Sequence, residues 1–214
     1  MQNPAQPLPF SNYLSSTGSV PRHQYLQVVD LSGNFIDSLG DWTPCFYLSS
    51  FKASDNLLTT LSNFTLTAPL VELDVSKNEI TDLKGIDRLS SLRKLCVSEN
   101  LIATLQDVNW GSLKKLAVLD MANNQVTSLT PLTEAGSLRS VNAAGNFISS
   151  ISELEHIAGV KEATFSACPV CEISKYRCRA LHWIPGLRVL DGEQVTAEEV
   201  VISKSIHGLL LDQM

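Results

Sequence analysis

The run Leu92-Arg-Lys-Leu-Cys-Val-Ser-Glu-Asn-Leu-Ile-Ala-Thr-Leu105 decides how the chain is read. Apolar residues stand at Leu92, Leu95, Val97, Ile102 and Leu105, with a single asparagine at Asn100. The L-x-L core of this run is the alternation of a strand with one buried face. The pattern returns around Asn34, Asn56, Asn78, Asn124 and Asn146, and Cys168 takes the next rung. Each step is 22 residues except that from Asn100 to Asn124, which is 24. A fixed short period is the mark of a solenoid, in which each unit buries its apolar face against its neighbours.

Physical expectations follow for one repeat. Its short strand stacks on the next to build a parallel sheet, and the chain then turns sharply, leaving backbone groups buried between coils. An asparagine side chain carries both an acceptor and a donor, so it can satisfy those groups. Twenty-two residues leave too few for a full return helix, so 3₁₀ or single-turn segments are expected there. This consensus resembles the leucine-rich repeat. The resemblance implies an α/β solenoid, a right-handed superhelix with a parallel concave sheet, about seven repeats over residues 25–170, short convex turns and a helical C-terminal cap.

The flanks read differently. Residues 1–24 carry Pro4, Pro7, Pro9 and Pro21, which predict an arm without regular pairing. Phe10, Tyr13, Leu14 or Val20 are expected to cover the first coil. Residues 171–196 form the expected cap. Led in by Cys168-Pro-Val170, it carries Tyr176, Leu181, Ile184-Pro185, Leu187-Arg-Val-Leu-Asp-Gly192 and Val195-Thr196. They resemble the cap shared by the type-1 phosphatase regulatory subunit, the spliceosomal A-prime protein, axonemal dynein light chains and tubulin-folding cofactors. Cys168 stands where those families place asparagine. Residues 197–214 predict a helix opened by a capping box between Thr196 and Glu199. Its apolar residues Val200, Val201, Ile202, Ile206 and Leu209 to Leu211 are expected to pack on the last coil. The two extra residues of the long step fall near Trp110, which either fills its own gap or stands out as an anchor for a partner.

Composition narrows the function. A net charge of −6 and a pI near 5.2 oppose direct nucleic-acid binding, which needs a basic footprint. No secretory leader or membrane span is read, and five cysteines without framework spacing suit a reducing compartment. The expected setting is the cytoplasm, with a cytoskeletal or axonemal array second and the nucleus third. Cys168, Cys171, Cys178 and His182 have the one metal-like spacing, but Cys168 sits where the repeat points inward, so no metal site is expected. Phosphate loops, nucleophile elbows and zinc-protease motifs are missing from the sequence, which predicts no catalytic residue and no cofactor.

What distinguishes this chain lies in residues flanking the buried L-x-L. One outward column reads Asp30, Lys52, Asp74, Cys96, Asp120, Asn142, Thr164. The column before it reads Val28, Ser50, Glu72, Lys94, Val118, Ser140, Glu162, and the column after it is small throughout, from Ser32 to Ser166. Seven strands about 4.8 Å apart span about 29 Å, the length of a helix of about 19 residues. The expected function is a non-enzymatic interaction scaffold, with a helix or extended segment of a protein partner on the concave face. Asp30, Lys52, Glu72, Asp74, Lys94, Cys96, Asp120, Asn142 and Thr164 are the expected contacts. Two alternatives stay open, a component of a cytoskeletal or axonemal assembly and a ribonucleoprotein subunit acting through a protein companion. Phosphatase regulatory members carry aromatic residues on this face; these columns hold none, so phosphatase binding does not follow from the resemblance.

Overall fold

Each L-x-L triplet forms a three-residue strand with its middle residue buried and its flanks facing outward. The computed structural model describes residues 8–9, 17–19 and 24–211. Phe10, Tyr13, Leu14 and Val20, expected to cover the first coil, lie outside them. So do the side chains of Ile206 and Leu209 to Leu211. The strands are β1 Leu8–Pro9, β2 Val28–Asp30, β3 Ser50–Lys52, β4 Glu72–Asp74, β5 Lys94–Cys96, β6 Val118–Asp120, β7 Ser140–Asn142, β8 Glu162–Thr164, β9 Val189–Leu190 and β10 Glu193–Gln194. They pair in sequence order in one sheet, parallel from β1 to β9, with β9 and β10 antiparallel. The register repeats coil by coil, so Phe51, Leu73 and Leu95 stand side by side. The sheet makes this an α/β solenoid.

Two parallel rungs, and the antiparallel β10 beyond them, exceed the sequence expectation. The arm was expected to stay unpaired, yet Leu8 pairs with Val29 and Pro9 with Asp30. An edge position tolerates proline, because the missing N–H faces away from the sheet. The cap residues Val189–Leu190 add a further parallel rung, and Leu190 packs in register with Ala163.

Inside the coils the core is a continuous aliphatic column, joined near the N-terminus by aromatic packing. Phe51 lies 4.9 Å from Trp42 and 5.0 Å from Phe64, ring centre to ring centre. The return side holds short 3₁₀ segments, among them Ile86–Arg88, Trp110–Ser112, Thr130–Glu134 and Ile151–Ile157. Trp110 fills the long coil from within. It is 1% exposed and its indole Nε1 donates to Leu105 O at 2.9 Å, so it is no anchor for a partner.

The turn after each strand demands a left-handed residue just before the ladder position. Gly33, Asp55, Lys77, Glu99, Asn123, Gly145 and Ala167 occupy it, with φ between 54° and 68°. At Gly145 a Cβ would also lie 2.2 Å from Asn123 Oδ1. Side chains in this region cost about 1 kcal/mol that glycine avoids, less the entropy glycine gains when unfolded. Exposed Ala167 is therefore a site where Ala167→Gly is expected to raise stability by up to about 1 kcal/mol. Ser149→Gly, where φ is not positive, should lower it. Urea midpoints of the two variants check the pair.

The cap closes the last coil through Asp191. Its Oδ1 accepts from Phe165 N at 2.7 Å and from Ser166 Oγ at 3.3 Å, and its Oδ2 accepts from Tyr176 OH at 3.0 Å. Burial pushes the Tyr176 phenol well up, with Asp191 adding to the effect, so it stays a donor. Tyr176 opens helix α1, Tyr176–Trp183, which packs on α2, Ala197–Leu211. The capping box forms as expected: Glu199 N donates to Thr196 Oγ1 at 3.2 Å and Thr196 N to Glu199 Oε2 at 2.8 Å. Arg177 Nε donates to Glu199 Oε1 and ties the helices together. The expectation that the apolar residues of α2 pack inward is corrected for two of them. Val201 and Ile202 are exposed and Ser203 takes the buried place, because the helical period turns 201 and 202 away.

The Arg177 guanidinium, then the Thr196 amide, hold Glu199 below the ordinary carboxylate value of 4.5. A folded pKa below the unfolded one means that the contribution is present above the unfolded value and is lost as pH falls through the folded one. Docking of α2 is therefore expected to hold above the ordinary value of 4.5 and to loosen as pH falls below it, through the lowered value of Glu199. Amide exchange of α2 against that of β5 should show it, and Glu199→Gln should remove the pH dependence.

Candidate functional site

The outward face is built by the strands alone, and the structure brings the expected residues into rows. Asp30, Lys52, Asp74, Cys96, Asp120, Asn142 and Thr164 are consecutive partners across β2 to β8, and all are half-buried. Beside them Lys94 Nζ donates to Glu72 Oε1 at 2.8 Å, and this bond holds Glu72 below the usual carboxylate range. Cys96 sits between Asp74 and Asp120; burial, then the Asp74 charge, pushes its thiol up to about 11. That thiol is protonated near neutrality and is a poor nucleophile.

The acidic rungs have a second role that residue type alone did not show. Asp30 Oδ1 accepts from Ser32 N at 3.0 Å, Asp74 Oδ1 from Ser76 N at 3.1 Å and Asp120 Oδ1 from Ala122 N at 3.2 Å. Asn142 Oδ1 accepts from Ala144 N at 3.2 Å in the same way. Each side chain closes an Asx-type turn at the strand end. One oxygen shapes the backbone while the charge remains toward the outer face. Asp and Asn are interchangeable for the first task and not for the second.

Behind the face runs the asparagine ladder. In the coils of Asn56, Asn78, Asn100, Asn124 and Asn146, Oδ1 accepts from an amide of the preceding coil, as Asn100 does from Ile80 N at 3.0 Å. Nδ2 donates to a carbonyl of its own coil and one of the coil before. Carbonyls are therefore shared: Leu31 O serves Asn34 and Asn56, and Val97 O serves Asn100 and Asn124. At the end Cys168 Sγ donates to Ala143 O at 3.1 Å, a carbonyl it shares with Asn146. Burial raises its thiol pKa, partly offset by the amides of Asn146 and Ile148. Cys171 Sγ points to Phe165 O at 3.0 Å. The two thiols therefore point to separate carbonyls, and among the described residues no group of three or more His, Cys, Asp or Glu side chains is placed to hold a metal ion. No helix among them is long and apolar enough to cross a membrane.

One column was missed at the start of the strands. Its cations, Arg93, Arg139, Lys161 and Arg188, share a repeat position one residue before each strand. A fourth column written beside the three outward ones would have found it.

A parallel sheet of L-x-L rungs backed by an asparagine ladder is the arrangement of leucine-rich repeats, and the chain carries that repeat. The family model described as Leucine Rich repeats (2 copies) matches residues 90–134, the stretch that contains the Leu92–Leu105 pattern. No curated protein matches the sequence. Among solved structures, internalin C2 of Listeria monocytogenes is 22% identical with a TM-score of 0.57, over 78% of this chain and 80% of that one. A leucine-rich repeat protein of Leptospira interrogans is 19% identical with a TM-score of 0.59, over 78% and 43%. TLR13 in its complex with ssRNA13 is 18% identical with a TM-score of 0.63, over 84% and 26%. The chain thus spans most of the internalin but less than half of the Leptospira protein and about a quarter of TLR13. At these identities the likeness is one of fold.

Proposed function

We propose that the protein is a non-enzymatic scaffold that holds a protein partner on the concave face of its sheet. Leucine-rich repeat proteins serve generally as interaction scaffolds, and repeats keep a common frame while varying the exposed columns. The observation that carries the reading is the outward row from Asp30 to Thr164. Its charged rungs run in register across the sheet beside a column of small residues that lets a helix or extended segment approach. Asp74 and Asp120 supply charge to the partner, and Lys52 and the Glu72–Lys94 pair set its orientation.

The Asx turns decide how to test it. Asp74→Asn with Asp120→Asn keeps the acceptor oxygens and removes two charges. In affinity purification of the tagged full chain, the double variant is expected to lose its principal partner at least about tenfold, with an unchanged urea midpoint. Retention of every partner overturns the reading. A second reading, a component of a larger cytoskeletal assembly, draws support from Val201 and Ile202 exposed on the terminal helix. Detergent-resistant pelleting of the tagged protein would favour it, and a small soluble complex would favour the first.

A further inference from the structure

The edge where the strands begin is charged over half its length. The position just before each strand holds Gln27, Ser49 and Val71 in the first three coils, then Arg93, Ala117, Arg139, Lys161 and Arg188. Backbone bonds set the last five in one row: Ala117 N to Arg93 O, Arg139 N to Ala117 O, Lys161 N to Arg139 O and Arg188 N to Lys161 O, all within 2.7–2.9 Å. The coil of Ala117 has no charge at that position but carries Lys114 and Lys115 three and two residues earlier, both exposed. Arg93, Arg139 and Arg188 are exposed too, and the Lys161 ammonium lies over Gly186. Among the described residues none of these six cations joins an ion pair. In a chain of net charge −6, a row of like charges, one rung of about 4.8 Å apart at Arg139, Lys161 and Arg188 and two rungs apart at Arg93 and Arg139, repels itself until an anion meets it.

We propose that this basic edge receives an α-helix of the protein partner whose acidic side chains repeat at i, i+3 and i+4. Its next stripe, basic or polar, lies over Asp74 and Asp120. The inference rests on the scaffold reading above and specifies the partner's charge pattern. Spacing favours a helix. Its i to i+3 and i to i+4 rises are about 4.5 and 6.0 Å, which bracket the rung. Same-face residues of an extended segment are about 6.7 Å apart and drift out of step. Charge disfavours nucleic acid, since a continuous polyanion along this edge would run beside Glu162 and the central carboxylates. A partner with acid on one stripe and base on the next meets both columns.

The test uses the full chain and three probes. They are an alanine-based helical peptide with glutamates striped at i, i+3 and i+4 and lysines on the adjacent stripe, a peptide of the same composition with scrambled charges, and a single-stranded oligonucleotide. The striped peptide is expected to bind at least about tenfold more tightly than the scrambled one. Arg139→Gln with Lys161→Gln and Arg188→Gln should lose at least about tenfold and flatten the salt dependence. Lys77→Gln with Lys84→Gln, away from this row, should change nothing. An unchanged urea midpoint certifies that the triple variant is folded. Equal binding of the two peptides, an unaffected triple variant, or tighter binding of the oligonucleotide overturns the inference. In affinity purification, loss of the partner in the Asp74→Asn, Asp120→Asn variant with retention in the triple variant leaves the scaffold reading standing and removes only the basic edge. Retention in both removes both.

Discussion

Trp110→Ala is expected to cost about 3–5 kcal/mol, the range for emptying a buried tryptophan site. For a chain of this length that is a fall in Tm of about 6–20 °C. The indole sits in the coil that is two residues longer than its neighbours, and it occupies the space the extra residues open. Removal leaves a cavity and takes the Nε1 donor from Leu105 O. The surroundings cannot close in easily, because Ser112 Oγ holds the coil to Asp87 O of the one before at 2.9 Å. Trp110→Phe keeps much of the volume and should cost less. Thermal unfolding of both variants measures the difference. A loss below about 1 kcal/mol for the alanine would mean that the indole is not packed as described.

Asn100→Leu is the second large effect, at about 2–4 kcal/mol. Leucine matches the size but leaves Ile80 N without the acceptor it has at 3.0 Å and withdraws the donor from Val75 O, Val97 O and Ser98 O. Val75 O keeps Asn78 and Val97 O keeps Asn124, so the penalty concentrates on the Ile80 amide. Asn100→Asp retains the acceptor and should lose less. Stability in a solenoid is close to a sum of repeats and nearest-neighbour interfaces. The leucine variant is therefore expected to broaden the urea transition as the two halves begin to unfold separately. A sharp transition at the native midpoint would remove the ladder's role.

The frame was legible because each coil solves the same problem with the same residue types. The 22-residue spacing predicted the strand register, the inward asparagines and the 3₁₀ return segments, and the Thr196–Glu199 box announced α2. The β1 and β9 rungs were not legible. A two-residue strand such as Leu8–Pro9 has no periodicity of its own and exists only because β2 offers an unpaired edge. The left-handed position was hidden too, since Gly33 and Gly145, and more weakly Asp55 and Asn123, mark it by residue type, while Lys77, Glu99 and Ala167 do not.

The candidate site divides along the same line. Local spacing was enough to place Asp30, Lys52, Glu72, Asp74, Lys94, Cys96, Asp120, Asn142 and Thr164 on the outer face. It could not show that three of those carboxylates also close turns, because the turn geometry arises only where a strand ends against its neighbour. Nor could it show that Arg93, Arg139, Lys161 and Arg188 form one edge, or that Trp110 points inward. By itself the sequence determined the repeat, the buried face and the ladder, since these follow from the periodic alternation of apolar and polar residues. The tertiary structure decided which charges pair, which stay free and how the two ends close. Those outcomes depend on side chains 22 or more residues apart meeting across coils.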